Sequence, residues 1–136
     1  MLEQWEADRL LAMRKIYSFN TVIDLSIGVS RDYQLEDVDG NEFFLLDIWR
    51  GKRNRNKARF QLRYGRDIIL ARLCTSIPHT NPDGSLIEPP HFHSYREEYE
   101  CRYAETVNNV EGPVQALTFF CEKINLPIPD IQGGLQ

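Results

Sequence analysis

Histidine is the one side chain whose unperturbed pKa places its charge change between pH 5 and 8. This 136-residue chain has three of them, His79, His91 and His93, all within residues 78–95, "PHTNPDGSLIEPPHFHSY". Four of its seven prolines, Pro78, Pro82, Pro89 and Pro90, fall in the same stretch. Such a set of imidazoles suits proton transfer around a phosphodiester. One takes the proton of a ribose 2′-OH and another returns a proton to the leaving oxygen, while a cation stabilises the charge building on phosphorus. If residues 91–95 are extended, His91, His93 and Tyr95 share a face. His79 returns to them across a loop closed by "NPDG", a turn with Pro82 as its first central residue. Arg72, a lone charge in the apolar run "IILARLCT" that precedes the loop, could supply that cation. The expected catalytic set is therefore His79, His91, His93, Tyr95 and Arg72, working without metal or cofactor. The competing roles are structural. Loop histidines often do no more than hydrogen-bond a backbone carbonyl, and Arg72 could be a buried ion-pair partner of Asp47.

A second feature lies just upstream. From Arg50 to Arg66 the sequence reads "RGKRNRNKARFQLRYGR", with eight of the sixteen basic residues and no acid. The remainder carries eight basic against twenty acidic residues, so the net charge of −4 conceals one cationic strip on an acidic protein. That pattern suggests a local anionic partner, RNA or another polyanion. Arg50, Lys52, Arg53, Arg55, Lys57, Arg59 and Arg63 are the candidate phosphate contacts. Trp49, Phe60 and Tyr64 flank them and either stack on bases or pack into the core.

The elements that must position these residues follow from periodicity. Leu2, Trp5, Arg9, Met13 and Ile16 recur at helical spacing, which predicts a helix over 2–17. Ile23, Leu25, Ile27 and Val29 alternate as in a strand, and "DG" at 39–40 predicts a hairpin turn into "NEFFLLDIW". In "KARFQLRY", Ala58, Phe60, Leu62 and Tyr64 share one face and Lys57, Arg59, Gln61 and Arg63 the other. "IILARLCT" reads as a central strand. "HFHSY" is short and extended, "REEYECRYAE" a weakly capped helix, and Gly112–Pro113 opens a last helix that stops before Pro127. The tail "IQGGLQ" is expected to fray. The expected fold is α+β over a single domain, 1–136: an N-terminal helix, an antiparallel β-meander of four to six strands, and a C-terminal helix.

Composition narrows the setting. No apolar run reaches the roughly 20 residues of a membrane span, and the charged N-terminus lacks a signal-peptide core. Cys74, Cys101 and Cys121 are odd in number, widely spaced and without CxxC, as expected of reduced packing residues. The expected location is cytoplasmic, with no membrane partner.

Two resemblances bear on the histidine segment. His91-x-His93-x-x-x-Glu97 resembles the first half of the cupin metal signature. The Gly expected after Glu97 is absent, and no histidine follows His93 to complete a ligand set. "RFQLRYGRDIILARLCTSIPHTNPDGSLIEPPHFHSY", residues 59–95, resembles a family of small bacterial and phage proteins marked by PHxNPDG followed by PHxHxY. It is more distantly similar to the TumE-type toxins of bacterial toxin–antitoxin pairs. The likeness rests on Arg72, Pro78, His79, Pro90, His91 and His93, and the "NPDG" turn is an insertion relative to the toxin pattern. It implies a toxin-like RNase with a helix followed by an antiparallel sheet, acting on RNA and accompanied by a small cognate protein. The expected function is thus a metal-independent endoribonuclease. The alternative is a non-enzymatic binder: an antitoxin, a phage inhibitor of a host defence complex, or an RNA-binding regulator. A cupin-like metalloprotein is the third option.

Overall fold

Burial alternates along 43–50 and 58–64, which makes two strands with one buried and one more exposed face, and the rest of the chain assembles on them. In the computed structural model, which describes residues 1–134, the order is α1 (Gln4–Ala12), β1 (Lys15–Tyr17), β2 (Val22–Asp24), β3 (Ser30–Asp37), β4 (Phe43–Arg50), β5 (Ala58–Tyr64), β6 (Ile68–Cys74), β7 (His79–Thr80), β8 (Leu86–Ile87), β9 (His91–Ser94), β10 (Ala104–Thr106), α2 (Gly112–Lys123) and β11 (Asp130–Gln132). Seven strands form one antiparallel sheet in the order β1-β3-β4-β5-β6-β9-β10. β2 pairs with β11 in parallel, and β7 with β8 as a separate hairpin. This is the α+β arrangement expected, with an antiparallel sheet between two helices in sequence.

Both helices lie on the same side of that sheet. Phe60 of β5 and Phe92 of β9 each meet Phe120 of α2, at 6.2 Å between ring centroids, and Phe92 also meets Phe119 at 6.1 Å. Ala7 and Leu10 of α1 join the same buried cluster, with Leu46, Ile48, Leu62 and Leu73 beneath the helices. Lys15 ties the two helix ends together. Its fully buried Nζ donates to the carbonyls of Leu11, Met13 and Ile124 at 3.0, 2.9 and 2.7 Å, and lies 4.9 Å from the Phe44 ring centroid. Carbonyls at helix C-termini lack intrahelical partners and carry the negative end of the helix dipole, so a cation there satisfies them.

Several expectations need correction. The N-terminal helix ends at Ala12, and residues 15–17 become edge strand β1 rather than a continuation. The strand expected over 21–30 is broken: Val22–Asp24 is extended, Gly28 then turns the chain at φ +81°, and Ser30 already opens β3. The sheet has seven strands instead of four to six. Residues 95–103 form bends and a bridge between Arg96 and Glu100 in place of a helix, leading into β10. The tail is anchored by β11, while Leu135 and Gln136 lie outside the described residues. No helix among the described residues is long and apolar enough to cross a membrane.

Candidate functional site

The helices leave the opposite face of the sheet uncovered, and alternation decides what it carries. In β4 and β5 the residues on this face are Leu45, Asp47 and Trp49, and Arg59, Gln61 and Arg63. Strand register then lines polar side chains across the sheet. One row runs Asp32, Asp47, Gln61, Arg72, His93 from β3 to β9, and the next runs Ser30, Trp49, Arg59, Cys74, His91.

Hydrogen bonds link the middle of the first row, from Asp47 through Gln61 to Arg72. Asp32 and Asp47 are directly opposite, which would repel without a cation between them. Arg63 supplies it, donating from Nε and Nη2 to Asp47 at 2.7 Å each, with Asp32 3.7 Å away. Gln61 Nε2 donates to Asp47 at 2.9 Å, and its Oε1 accepts from Arg72 Nε and Nη2 at 2.9 and 2.7 Å. Asp47 is therefore the partner of Arg63, not of Arg72. Arg72 is held by a neutral amide, so its full positive charge faces the histidines.

All three histidines converge. Ring centroids are 4.6 Å apart for His79–His93, 4.9 Å for His91–His93 and 5.7 Å for His79–His91. They line a cavity of 300 Å³ with Arg59, Arg72, Cys74 and Arg102. His91 and His93 are each 3% exposed, while His79 is half-buried at the rim. Every ring is fixed by a backbone carbonyl at 2.7 Å: His79 Nε2 to Arg102, His91 Nε2 to Ile77, and His93 Nδ1 to Cys101. A carbonyl only accepts, so each of these nitrogens carries a proton. In the neutral rings of His91 and His93 the acceptor nitrogens are then Nδ1 and Nε2, respectively. His91 Nδ1 is buried and has no hydrogen-bond partner among the described residues. Burial pushes the His91 pKa down despite the Ile77 carbonyl. Burial also drives His93 down to about 4, aided by the other two imidazoles and the Arg72 charge. Both are neutral near pH 7.

Imidazoles that donate their second N–H to a backbone carbonyl are typical of metal ligands as well. Among the described residues, however, no three His, Cys, Asp or Glu side chains are arranged to hold a metal ion. Burial raises the Cys101 thiol to about 12, and its Sγ donates to the Ile69 carbonyl at 3.1 Å. Cys74, Cys101 and Cys121 are all unbridged.

The hairpin that carries His79 is built by its turn. Gly84 N donates to Asn81 O at 2.9 Å, and Gly84 sits at φ +87°, a conformation that suits glycine. Asp83 accepts from the Ser85 amide and hydroxyl and from Tyr103 Oη, at 2.9, 2.6 and 2.9 Å. The Asn81 side chain, 3% exposed, donates to Ala104 O and accepts from Ala104 N at 2.9 and 2.8 Å. One amide thus stitches β7–β8 onto the edge strand β10.

Three expected site residues are elsewhere. The strand ends at Ser94, so Tyr95 leaves the histidine face. It is buried in the core and donates its hydroxyl to Leu2 O at 2.7 Å, beside α1. Arg50 alternates with Ile48 onto the covered face. It is 1% exposed and donates to Leu25 O at 2.7 Å and to Arg55 O, which makes it a structural cation rather than a phosphate contact. Arg63 is neutralised by Asp47, as described. Lys52, Arg53 and Arg55 are exposed in the β4–β5 turn, while Lys57 Nζ and Arg59 Cζ lie 5.5 and 5.1 Å from the Trp49 ring centroid. Phe60 is core and Tyr64 bonds Glu42, leaving Trp49 as the aromatic of the three that belongs to the cationic surface. Gln61 and the carbonyls of Cys101 and Arg102 belong to the site without having been singled out. Strand register and the path of residues 95–103 create those contacts.

No curated protein and no solved structure matches the chain. Its sequence matches the family of unknown function DUF6978 over residues 2–126, and the protein belongs to that family.

Proposed function

We propose that the histidine cavity cleaves RNA phosphodiesters without a metal, as a toxin-like endoribonuclease of the kind the TumE resemblance implies. The observation that carries this reading is the convergence of His79, His91 and His93 beside Arg72 and Arg59 in one cavity. His93, neutral and with its Nε2 left as an acceptor, takes the proton of the 2′-OH. His79, at the rim and in contact with water, returns a proton to the leaving 5′-oxygen. Arg72, held square to the cavity by Gln61, and Arg59 receive the phosphate. His91 packs against both other rings and holds the cluster together. A bound phosphate would also favour the protonated imidazoles that Arg72 disfavours in the free protein.

The test is cleavage of unstructured and structured RNA in EDTA. The expected result is cutting that survives the chelator and falls by 10²-fold or more in His79→Ala and in His93→Gln, a loss on the scale of removing one proton-transfer group. Activity that vanishes with EDTA and returns with a divalent ion would overturn the metal-free reading.

A second reading rests on a separate observation. The fixing of all three rings by backbone carbonyls is what purely structural histidines do, and it suits a non-enzymatic RNA-binding regulator using the cationic surface alone. RNA binding without cleavage, insensitive to His79→Ala, favours that reading.

A further inference from the structure

Arg59 lines two cavities. Besides the histidine cavity it borders a larger one of 590 Å³ on the same open face, whose walls include Asp32, Asp47, Trp49 and Gln61. Proton transfer has no use for this second space. Trp49 is half-buried on the water-facing side of β4, outside the core cluster, with the Lys57 and Arg59 cations over its ring at 5.5 and 5.1 Å from the centroid, where a bound phosphate would draw them aside. An indole platform flanked by phosphate-seeking cations on an uncovered sheet is the arrangement by which single-stranded RNA is held, base on ring and backbone on charge.

The carboxylates sort by availability. Asp47 is engaged by Arg63 and Gln61. Asp32 has an exposed side chain, Arg63 at 3.7 Å, and no hydrogen bond among the described residues. A carboxylate only accepts hydrogen bonds. It suits a base that offers adjacent N–H donors, and guanine does so through N1–H and the exocyclic N2 amine. Uracil places carbonyls on both sides of its single N–H, which a carboxylate repels.

We infer that this cavity is a nucleobase subsite for an unpaired guanine, which stacks on Trp49, presents its N–H edge to Asp32 and leaves its phosphate on Arg59 at the mouth of the histidine cavity. The subsite gives substrate selection to the nuclease reading and rests on that reading for its purpose, although its binding can be measured without cleavage.

The chain has two tryptophans, so Trp5→Phe leaves Trp49 as the sole indole reporter. This full-length variant is titrated with 2′-O-methyl UUGUU and UUUUU, which lack the 2′-OH nucleophile and cannot be cut. UUGUU should quench Trp49 and bind tighter than UUUUU. Trp49→Ala, read by anisotropy of the labelled oligonucleotide, should weaken UUGUU binding about tenfold. Asp32→Asn, a change at an exposed position, should abolish the guanine preference, so that UUGUU and UUUUU bind alike. Absence of quenching, Trp49→Ala affinity within about twofold of the parent, or equal competition by inorganic polyphosphate or duplex RNA would overturn the subsite. Guanine-dependent quenching with no cleavage of unmodified UUGUU would keep the subsite and sink the nuclease. Cleavage indifferent to Trp49 and Asp32 would do the reverse.

Discussion

A histidine buried beside an arginine and two other imidazoles has one tolerable state in the folded protein, the neutral one. Burial and those neighbours take His93 to about 4, against an ordinary value of 6.5, and His91 is lowered in the same direction. The unfolded chain therefore binds more protons than the folded one between these limits, and acid favours unfolding there. The stability contributed by neutral His93 is complete above about pH 6.5 and is lost as pH falls toward 4. At 1.36 kcal/mol per unit this amounts to about 3 kcal/mol. The depressed carboxylates, Asp24, Asp37 and Asp83, start from 3.8, so their losses lie mainly below that window. Denaturation midpoints in urea between pH 7 and 4 should fall steeply for the wild type and much less for His93→Gln. Parallel curves would show that His93 does not titrate as its surroundings dictate.

At the scale of elements, the hairpin β7–β8 is the part of the site most dependent on a single side chain. Asn81 forms two hydrogen bonds with Ala104 from a buried position, and Asn81→Ala leaves the Ala104 amide and carbonyl without those partners. The expected loss is about 2–3 kcal/mol, with faster hydrogen exchange at the Ala104 amide. His79 should move away from its carbonyl partner Arg102, so RNA cleavage should drop more than stability at 25 °C explains. Unchanged exchange at Ala104 would refute this docking role. The hairpin's turn was legible in advance, because "NPDG" specifies it through local chemistry alone, while the two short strands flanking it were read as loop. Strand β5 was legible from its strict alternation, β6 from its apolar run, and β4 from the Asp39-Gly40 turn that precedes it. Arg50 was misplaced by composition, although its parity with Leu46 and Ile48 already assigned it to the covered face. Tyr95 was misplaced by assuming that alternation continues past Ser94. The return of residues 95–103, which supplies two of the three carbonyls fixing the histidines, has no periodicity to read. Its contacts are non-local and appear only when β9 and β10 pair.

For the whole molecule, two helices cover one sheet face and leave the polar face without helices, and the surface charge follows that division. Of the seven cations in the basic strip expected to meet phosphate, Arg50 is buried on the covered face and Arg63 is neutralised by Asp47. Lys52, Arg53, Arg55, Lys57 and Arg59 remain, and Arg72 adds one charge inside the cavity. Each phosphate neutralised on a single strand contributes about −0.7 to the slope of log K against log salt. These six contacts give a slope of about −4, whereas all seven strip cations together with Arg72 would give about −5.6. The contacts should also be separable. Arg55→Ser removes an exposed charge and should make the slope shallower by up to about 0.7 at little cost in stability. Arg63→Gln should leave the slope unchanged but destabilise the fold, because Asp32 and Asp47 then face each other across β3 and β4 without their shared cation. Fluorescence anisotropy of a labelled 2′-O-methyl oligonucleotide from 50 to 300 mM KCl measures both. A slope steeper than about −5, or one that becomes shallower in Arg63→Gln, would mean that the Asp47 pair opens to let Arg63 reach the RNA.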